Sequence, residues 1–275
     1  MKALSFEIGG KTAFFKKPDV NSYAYFTYNN IHKPALLGVL GAIIGLGGHI
    51  QLHNKNRDIE EKNKLIKKKT EKLALDNGYP EFYEKLQHLK VSIVPLTSNG
   101  YFTKKIQTFN NSVGYANGMV SGKSESALKE RRDSSNLIVR EQWIENPKWQ
   151  IIILDDKSAE YTKIKEYLVS SKSVFIPYLG KNDHFANIDK VEEIELGTAY
   201  ENLRLSSLFI ENKVVLSAHK PRGEHLFIFK EVSPIKLQKE YHFYEYESLC
   251  FTNSKIVENE SKDIFSHDSK NYFFL

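Results

Sequence analysis

Residues 149–170 read WQIIILDDKSAEYTKIKEYLVS. The run Ile151-Ile152-Ile153-Leu154 is apolar without alternation, the pattern of a strand covered on both faces. Asp156 or Ser158 then offers a side-chain oxygen to cap a helix. Tyr161, Ile164, Tyr167 and Leu168 recur at helical spacing behind it. A strand running into an amphipathic helix predicts a β-α unit, and the fold is decided by what flanks that unit. Downstream, a turn at Pro177-Tyr178-Leu179-Gly180-Lys181 leads to a strand over residues 191–196. Upstream lies a strand over residues 91–96, and the chain opens on MKALSFEIGG. There Leu4, Phe6 and Ile8 alternate with Ala3, Ser5 and Glu7, and Gly9-Gly10 ends the strand.

Between the first two strands the sequence predicts a helix over residues 34–49, with Pro34 in its first turn. A charged, solvated helix follows over 57–75 and a short one over 81–89. Residues 97–136 are polar and rich in Gly, Asn and Ser, longer than loops in compact domains usually run. They predict a protruding excursion, a hairpin that returns through residues 137–143. The order strand, helix, strand, excursion, strand, helix, strand is β-α-β-β-α-β, the α+β ferredoxin-like pattern. Beyond residue 204 the chain is strand-rich (214–217, 226–232, 241–251). The expected organisation is a ferredoxin-like domain over 1–203, its excursion at about 97–143, and a small β-rich extension over 204–275.

The 275 residues are 41% hydrophobic and 27% charged, enough apolar material to bury a core without staples. Cys250 is the single cysteine, which excludes an intrachain disulfide and a cysteine-based zinc site and suggests a reducing compartment. No signal-peptide core is visible at the start, and the longest apolar stretch, about 14 residues from Ala35 to Gly48, is shorter than a membrane span. A cytoplasmic location with no membrane partner is expected. The formal net charge of +5 permits nucleic-acid binding without demanding it. Only six of the 39 basic residues are arginine, and three of those, Arg131, Arg132 and Arg140, fall within ten positions.

Gly38, Gly41, Gly45 and Gly48 are spaced three, four and three and line one face of the apolar helix. Each mid-helix glycine costs about 1 kcal/mol against alanine, so something is expected to approach that backbone closely. Tight packing and a groove for a ligand backbone are both open readings.

Three segments carry a resemblance: ALSFEIGGKTAFFKKP (3–18), TYNNIHKPALLGVLGAIIGLGG (27–48) and FIPYLGKNDHFANI (175–188). In this order and spacing they resemble the fifth Cas protein family, the RAMP-superfamily subunit of type I CRISPR surveillance complexes, most nearly its type I-B branch. The resemblance covers roughly residues 1–196. It implies a ferredoxin-like domain with a β-hairpin thumb between the second and third core strands. It further implies a non-catalytic subunit of Cascade that caps the 5′ handle of crRNA in antiviral defence. The implied partners are crRNA, the large subunit, the backbone subunit and target DNA within the complex, with no cofactor. In type I-C, which lacks a separate processing enzyme, the family member cuts the precursor, so a metal-independent endoribonuclease is the alternative.

RNA backbones are held by Lys, Arg and main-chain N–H groups, and splayed bases stack on aromatics. The candidate RNA-binding residues are therefore Lys16, Lys17, Tyr28, His32 and Lys33 ahead of a helix N-terminus, and Gly41 and Gly45 on the glycine face. Lys104, Lys105, Arg131, Arg132 and Arg140 lie on or beside the excursion, and Gly180, Lys181 and His184 in the late turn. Three other constellations carry less. Residues 117–124, NGMVSGKS, miss the first glycine of a phosphate-binding loop. His49 and His53 are four apart but lack the glutamate of the zinc-protease motif. Tyr28, His32, His49 and His184 could serve acid–base cleavage, but they match no nuclease set residue by residue.

Overall fold

The computed structural model describes residues 1–19, 23–66, 69–111, 137–200, 204–217, 223–259 and 262–275. β1 (Lys2–Gly9) alternates as expected, yet both its faces are covered, Leu4, Phe6 and Ile8 by one cluster and Ala3 by another. A short β2 (Thr12–Ala13) precedes α1 (Lys33–Ile44), α2 (His49–Leu65) and α3 (Glu81–Leu86). α1 stops short of the expected residue 49 because Gly45 takes φ +83°, a left-handed C-cap. α2 leaves at 75° to it and buries none of its side chains, so the charged helix starts before residue 57 and ends at Leu65. No single helix among the described residues is long and apolar enough to cross a membrane.

β3 (Val91–Pro95), β4 (Lys104–Asn111), β5 (Leu137–Glu145) and β6 (Lys148–Leu154) follow. Then come α4 (Ala159–Val169), capped by Ser158 Oγ, which accepts from Tyr161 N at 3.1 Å, and β7 (Asn187–Glu195). β1, β3, β6 and β7 form one antiparallel sheet in the order β3-β6-β1-β7. The first and third core strands lie central and the second and fourth at the edges, which is two interleaved β-α-β units and the ferredoxin-like order. The uninterrupted apolar run of β6 is explained by its two covered faces. Ile151 and Ile153 join the cluster formed with Leu36, Leu40, Phe82 and Ile164 of α1, α3 and α4, while Ile152 joins Tyr272 and Phe274 on the other face.

β8 (Gly197–Thr198), β9 (Phe209–Ile210), β10 (Val214–Leu216), β11 (Ile228–Leu237), β12 (Tyr244–Thr252), β13 (Ile256–Asn259), β14 (Ile264–His267) and β15 (Lys270–Phe273) complete the chain. They form sheets β11-β12-β9, β10-β13 and β15-β14-β8. The free edge of β3 is not left open. Leu208 N donates to Ile93 O at 2.8 Å, and Leu275 and Val91 exchange backbone bonds. The opposite edge, β7, carries exposed Asp189, Glu192, Glu193 and Glu195, charges that discourage pairing with another strand.

The excursion between the second and third core strands is a hairpin. β4 and β5 pair from Lys104 opposite Ile144 to Asn111 opposite Leu137, and β2 adds to the other side of β5. Its connection, residues 112–136, lies outside the described residues, and with it Arg131, Arg132 and the loop-like 117–124 segment.

Candidate nucleic-acid interface

The basic sequel to β1 folds back on itself beside the hairpin. Lys17 N donates to Phe26 O at 2.8 Å and Tyr28 N to Phe15 O at 2.9 Å, so residues 14–17 and 25–28 pair into a small arm. Tyr25 N donates to Arg140 O and Gln142 N to Tyr25 O, both at 2.9 Å, which fastens the arm to β5. Cations and rings from four parts of the sequence then alternate. Lys16 Nζ sits 3.9 Å over the Tyr25 ring, the Arg140 guanidinium 4.8 Å over Tyr23, Lys17 Nζ 5.1 Å from Tyr28 and Lys104 Nζ 5.8 Å from Tyr101. Tyr23, Tyr25 and Tyr101 are exposed. Aromatic faces for stacking beside cations for phosphates are what a single-stranded nucleic acid requires of a surface. Tyr23, Tyr25 and Tyr101 were not among the sequence candidates; their signal was the placing of tyrosines within a few residues of Lys16, Lys17 and Lys104.

Beneath this surface lies a carboxylate that no pattern of basic residues would reveal. Glu231 of β11 accepts from Asn29 N at 3.0 and 2.9 Å through its two oxygens, and Lys17 Nζ is 3.6 Å from it. Burial pushes its carboxyl above the usual range, against the Asn29 N–H and the Lys17 and Lys104 ammoniums, which favour the charged form. Lys104 is itself half-buried, and that burial lowers its pKa although Glu231 opposes the change.

The late turn is tied to the other face of the hairpin. Lys181 Nζ bonds both oxygens of buried Glu141 at 3.0 and 3.2 Å, and Trp143 Nε1 donates to the same carboxylate at 3.0 Å. His184 is buried, meets the Trp143 ring edge-on at 4.7 Å between centroids and bonds Thr12 Oγ1 at 2.7 Å. Gly180 has φ +90°, and a Cβ there would stand 1.9 Å from Phe14 O.

Several expected RNA contacts therefore lie inside the protein. His32 is the N-cap of α1, accepts from Ala35 N at 3.2 Å, and is ringed by Phe15, Tyr28 and Tyr244. Burial holds its pKa at about 3, so it is neutral and no phosphate cation. Tyr28 is buried and its hydroxyl is bonded to Tyr246. Gly41 faces α3: a Cβ there would lie 2.6 Å from Phe82 Cβ. At Gly45 a Cβ would meet Val174 Cγ2 at 2.9 Å. Both glycines admit protein neighbours, so this face is tight packing and not a groove for a ligand backbone. His184 and Gly180 are packed as described above. Lys33 donates to Leu275 O at 3.0 Å, and its burial, with help from Lys236 and Lys90, lowers its pKa to about 8. Lys105 pairs with Glu145 at 3.4 Å. Of the candidates in the described residues, Lys16, Lys17, Lys104 and Arg140 are brought together, while Lys105 and Lys181 are engaged with carboxylates of β5. No group of three His, Cys, Asp or Glu among the described residues is placed to hold a metal ion.

Fold and surface together describe an α+β chain with a cation–aromatic face at the base of its hairpin. No family model matches the chain, and no curated protein matches it. Among solved structures it is similar to a chain of a CRISPR RNA-guided surveillance complex, with TM-score 0.46 and 10% identity over 93% of this chain and 91% of that one. It is similar to a CRISPR protein from Archaeoglobus fulgidus, with TM-score 0.45 and 11% identity over 99% and 98%. A chain of a type III-B Cmr-beta complex bound to cognate target RNA and AMPPnP gives 0.42 and 8% over 93% and 86%.

Proposed function

We propose that this protein is a non-catalytic, crRNA-binding subunit of a CRISPR surveillance complex, of type I, that holds the 5′ handle of the guide. The observation that carries the reading is the convergence of Lys16, Lys17, Lys104 and Arg140 with exposed Tyr23, Tyr25 and Tyr101 at the base of a hairpin between the second and third core strands. The three-segment resemblance supports the family and the subtype. The handle is held between the arm of residues 14–17 and 25–28 and the hairpin, and not on the glycine face. The complex's large and backbone subunits, and target DNA, are the partners that go with this reading, as does a cytoplasmic location.

The packing of the histidines that could serve acid–base cleavage favours the non-catalytic role. His32 is a buried neutral cap, His184 is bonded to Thr12 against Trp143, and His49 lies against Phe82 and His242. The test is co-expression with the products of the neighbouring genes, purification, and sequencing of co-purified RNA. Recovery of RNAs that begin with a common repeat-derived segment is expected. Recovery of no enriched RNA would sink the proposal.

A further inference from the structure

The turn at Asn29-Asn30 is held by bonds that do not involve Glu231. Asn29 Nδ2 and Asn30 Nδ2 donate to Gly100 O at 3.0 and 3.1 Å, Phe102 N donates to Asn29 Oδ1 at 3.3 Å, and Trp149 Nε1 to Asn30 Oδ1 at 2.9 Å. These bonds fix the turn's own N–H groups in place without help from β11. Glu231, about 200 residues further along the chain and nine-tenths buried at its side chain, fills the position the Asn29 and Asn30 N–H groups face. Two ammonium groups, Lys17 and Lys104, act on that one carboxylate, so the site keeps a surplus of positive charge. Backbone N–H groups with flanking lysines are how proteins hold phosphate oxygens.

We propose that Glu231 is an internal stand-in for a nucleic-acid phosphate: its carboxylate occupies an anion cradle formed by the Asn29 and Asn30 N–H groups with Lys17 and Lys104, and a backbone phosphodiester of single-stranded RNA takes its place on binding. The identity of the ligand rests on the RNA-binding reading above; the cradle does not.

The exchange conserves charge and geometry. A carboxylate and a phosphodiester each present two oxygens sharing one negative charge, so each satisfies the same donors. The carboxylate gains from leaving, because it sits in the cradle at a desolvation cost that raises its pKa. Among the described residues β11 is the outer strand of the sheet β11-β12-β9, so the carboxylate lies at the margin of that sheet and not in its middle. The cradle also adjoins the stacking surface: Lys17 is next in sequence to Lys16, which sits over exposed Tyr25. A strand whose base stacks on Tyr25 would bring its phosphates to the Lys16–Lys17 side of the arm. Glu231 then sets a threshold. Isolated anions do not displace it, whereas a polynucleotide held at several neighbouring points does.

The test compares wild type with Glu231→Gln, which keeps one acceptor for Asn29 N–H and removes the charge. Binding of a single-stranded oligoribonucleotide is measured at fixed salt, and thermal stability is measured with inorganic phosphate against chloride at equal ionic strength. Glu231→Gln should bind the RNA about tenfold more tightly, a change of ~1.4 kcal/mol. Phosphate should raise its melting temperature and leave wild type unmoved, and adding Lys104→Gln should remove both gains. Equal RNA affinity for the two proteins, with no effect of phosphate, would overturn the cradle and leave the RNA reading standing. Stabilisation by phosphate with no RNA binding by either protein would keep the anion site and overturn the RNA reading. A second measurement needs no variant. In wild type, RNA should increase labelling of Glu231 by a carbodiimide and an amine, read by mass spectrometry, because the displaced carboxylate becomes accessible. Unchanged or reduced labelling would overturn the exchange.

Discussion

Two glycines on one helix face should respond to alanine with opposite signs. Gly38 and Gly41 are one turn apart on α1, and both look toward Phe82 of α3. A Cβ at Gly38 would stand 3.9 Å from Phe82 Cε2, an ordinary van der Waals contact. Gly38→Ala should therefore collect the helix-propensity gain of about 1 kcal/mol. A Cβ at Gly41 would stand 2.6 Å from Phe82 Cβ and 3.7 Å from its Cα. The atom it meets is fixed to the α3 backbone, so relief requires α3 to move and not a ring to rotate. Overpacking of this kind costs ~1–3 kcal/mol. For a contact this short the upper half of that range applies, so after the propensity gain Gly41→Ala should lose about 1–2 kcal/mol. Gly41→Leu should lose more. Urea unfolding followed by circular dichroism measures both, with an unchanged m-value showing that the native state is otherwise intact. The reasoning fails if Gly41→Ala is as stable as wild type or more so, because α1 and α3 then do not approach as closely as the backbone positions require.

Other outcomes follow from the surface and from the buried groups. Lys16→Ala with Arg140→Ala should weaken single-stranded RNA binding and flatten its log–log salt dependence by about 0.7 per lost phosphate contact, with stability nearly unchanged; equal slopes would mark the two cations as ordinary surface charge. Burial holds folded His32 near pKa 3, whereas the unfolded chain takes up the proton near 6.5. Its contribution to stability is therefore complete above about pH 6.5 and is lost as pH falls toward 3, at up to ~1.4 kcal/mol per pH unit. His32→Asn, which puts an amide oxygen in place of Nδ1 as the capping acceptor, should show a shallower acid decline in denaturant titrations between about pH 6 and 4; parallel profiles would refute the buried neutral cap. Lys181→Ala strips buried Glu141 of its cation and should cost about 1–3 kcal/mol, and adding Glu141→Gln should restore part of that loss. Repeat RNA incubated with the pure protein in EDTA should stay intact, and cleavage at the handle boundary, abolished by a His or Tyr substitution, would favour the endoribonuclease alternative.

The four core strands were legible because each buries a recognisable pattern: Leu4, Phe6 and Ile8 at alternate positions, and Ile151 to Leu154 without a break. Their order follows from alternation with helices and needs no long-range knowledge. The end of α1 was not legible. The apolar stretch continues past Gly45 to Leu46, and the helix stops where the backbone turns left-handed at Gly45, against Val174 from a segment about 130 residues later. For the same reason the glycine face could be recognised as a close approach, while its occupant, Phe82, could not be named. The basic half of the interface was legible as Lys16, Lys17, Lys104 and Arg140. Tyr28 and His32 were misread as surface ligands because they neighbour Lys33 and two asparagines in sequence. Their burial is imposed by Phe15 and Tyr244, which arrive from other elements. Glu231 was not legible, since an acidic side chain carries no sequence signal of a phosphate site.

The Asn29-Asn30 turn explains why the C-terminal strands bear on the interface at all. Through its side chains the turn grips Gly100 and Phe102 ahead of the hairpin and Trp149 of β6; two residues on, His32 caps α1; and through Asn29 N–H it holds Glu231 of β11. β11 is in turn anchored to the helical layer, where Tyr83 Oη accepts from Leu237 N at 2.8 Å and Tyr79 Oη donates to Leu237 O at 2.9 Å. A displacement of β11 therefore reaches the turn and α3 together. Leu208 and Leu275, bonded along β3, hold the rest of the C-terminal region to the core sheet, so the strand that carries Glu231 cannot drift as a unit. On the proposal above, the Glu231 side chain turns away while this frame stays in place. That places any response to a bound phosphate in one rotamer and not in the fold, and it makes the cradle a local exchange of one anion for another on a rigid frame.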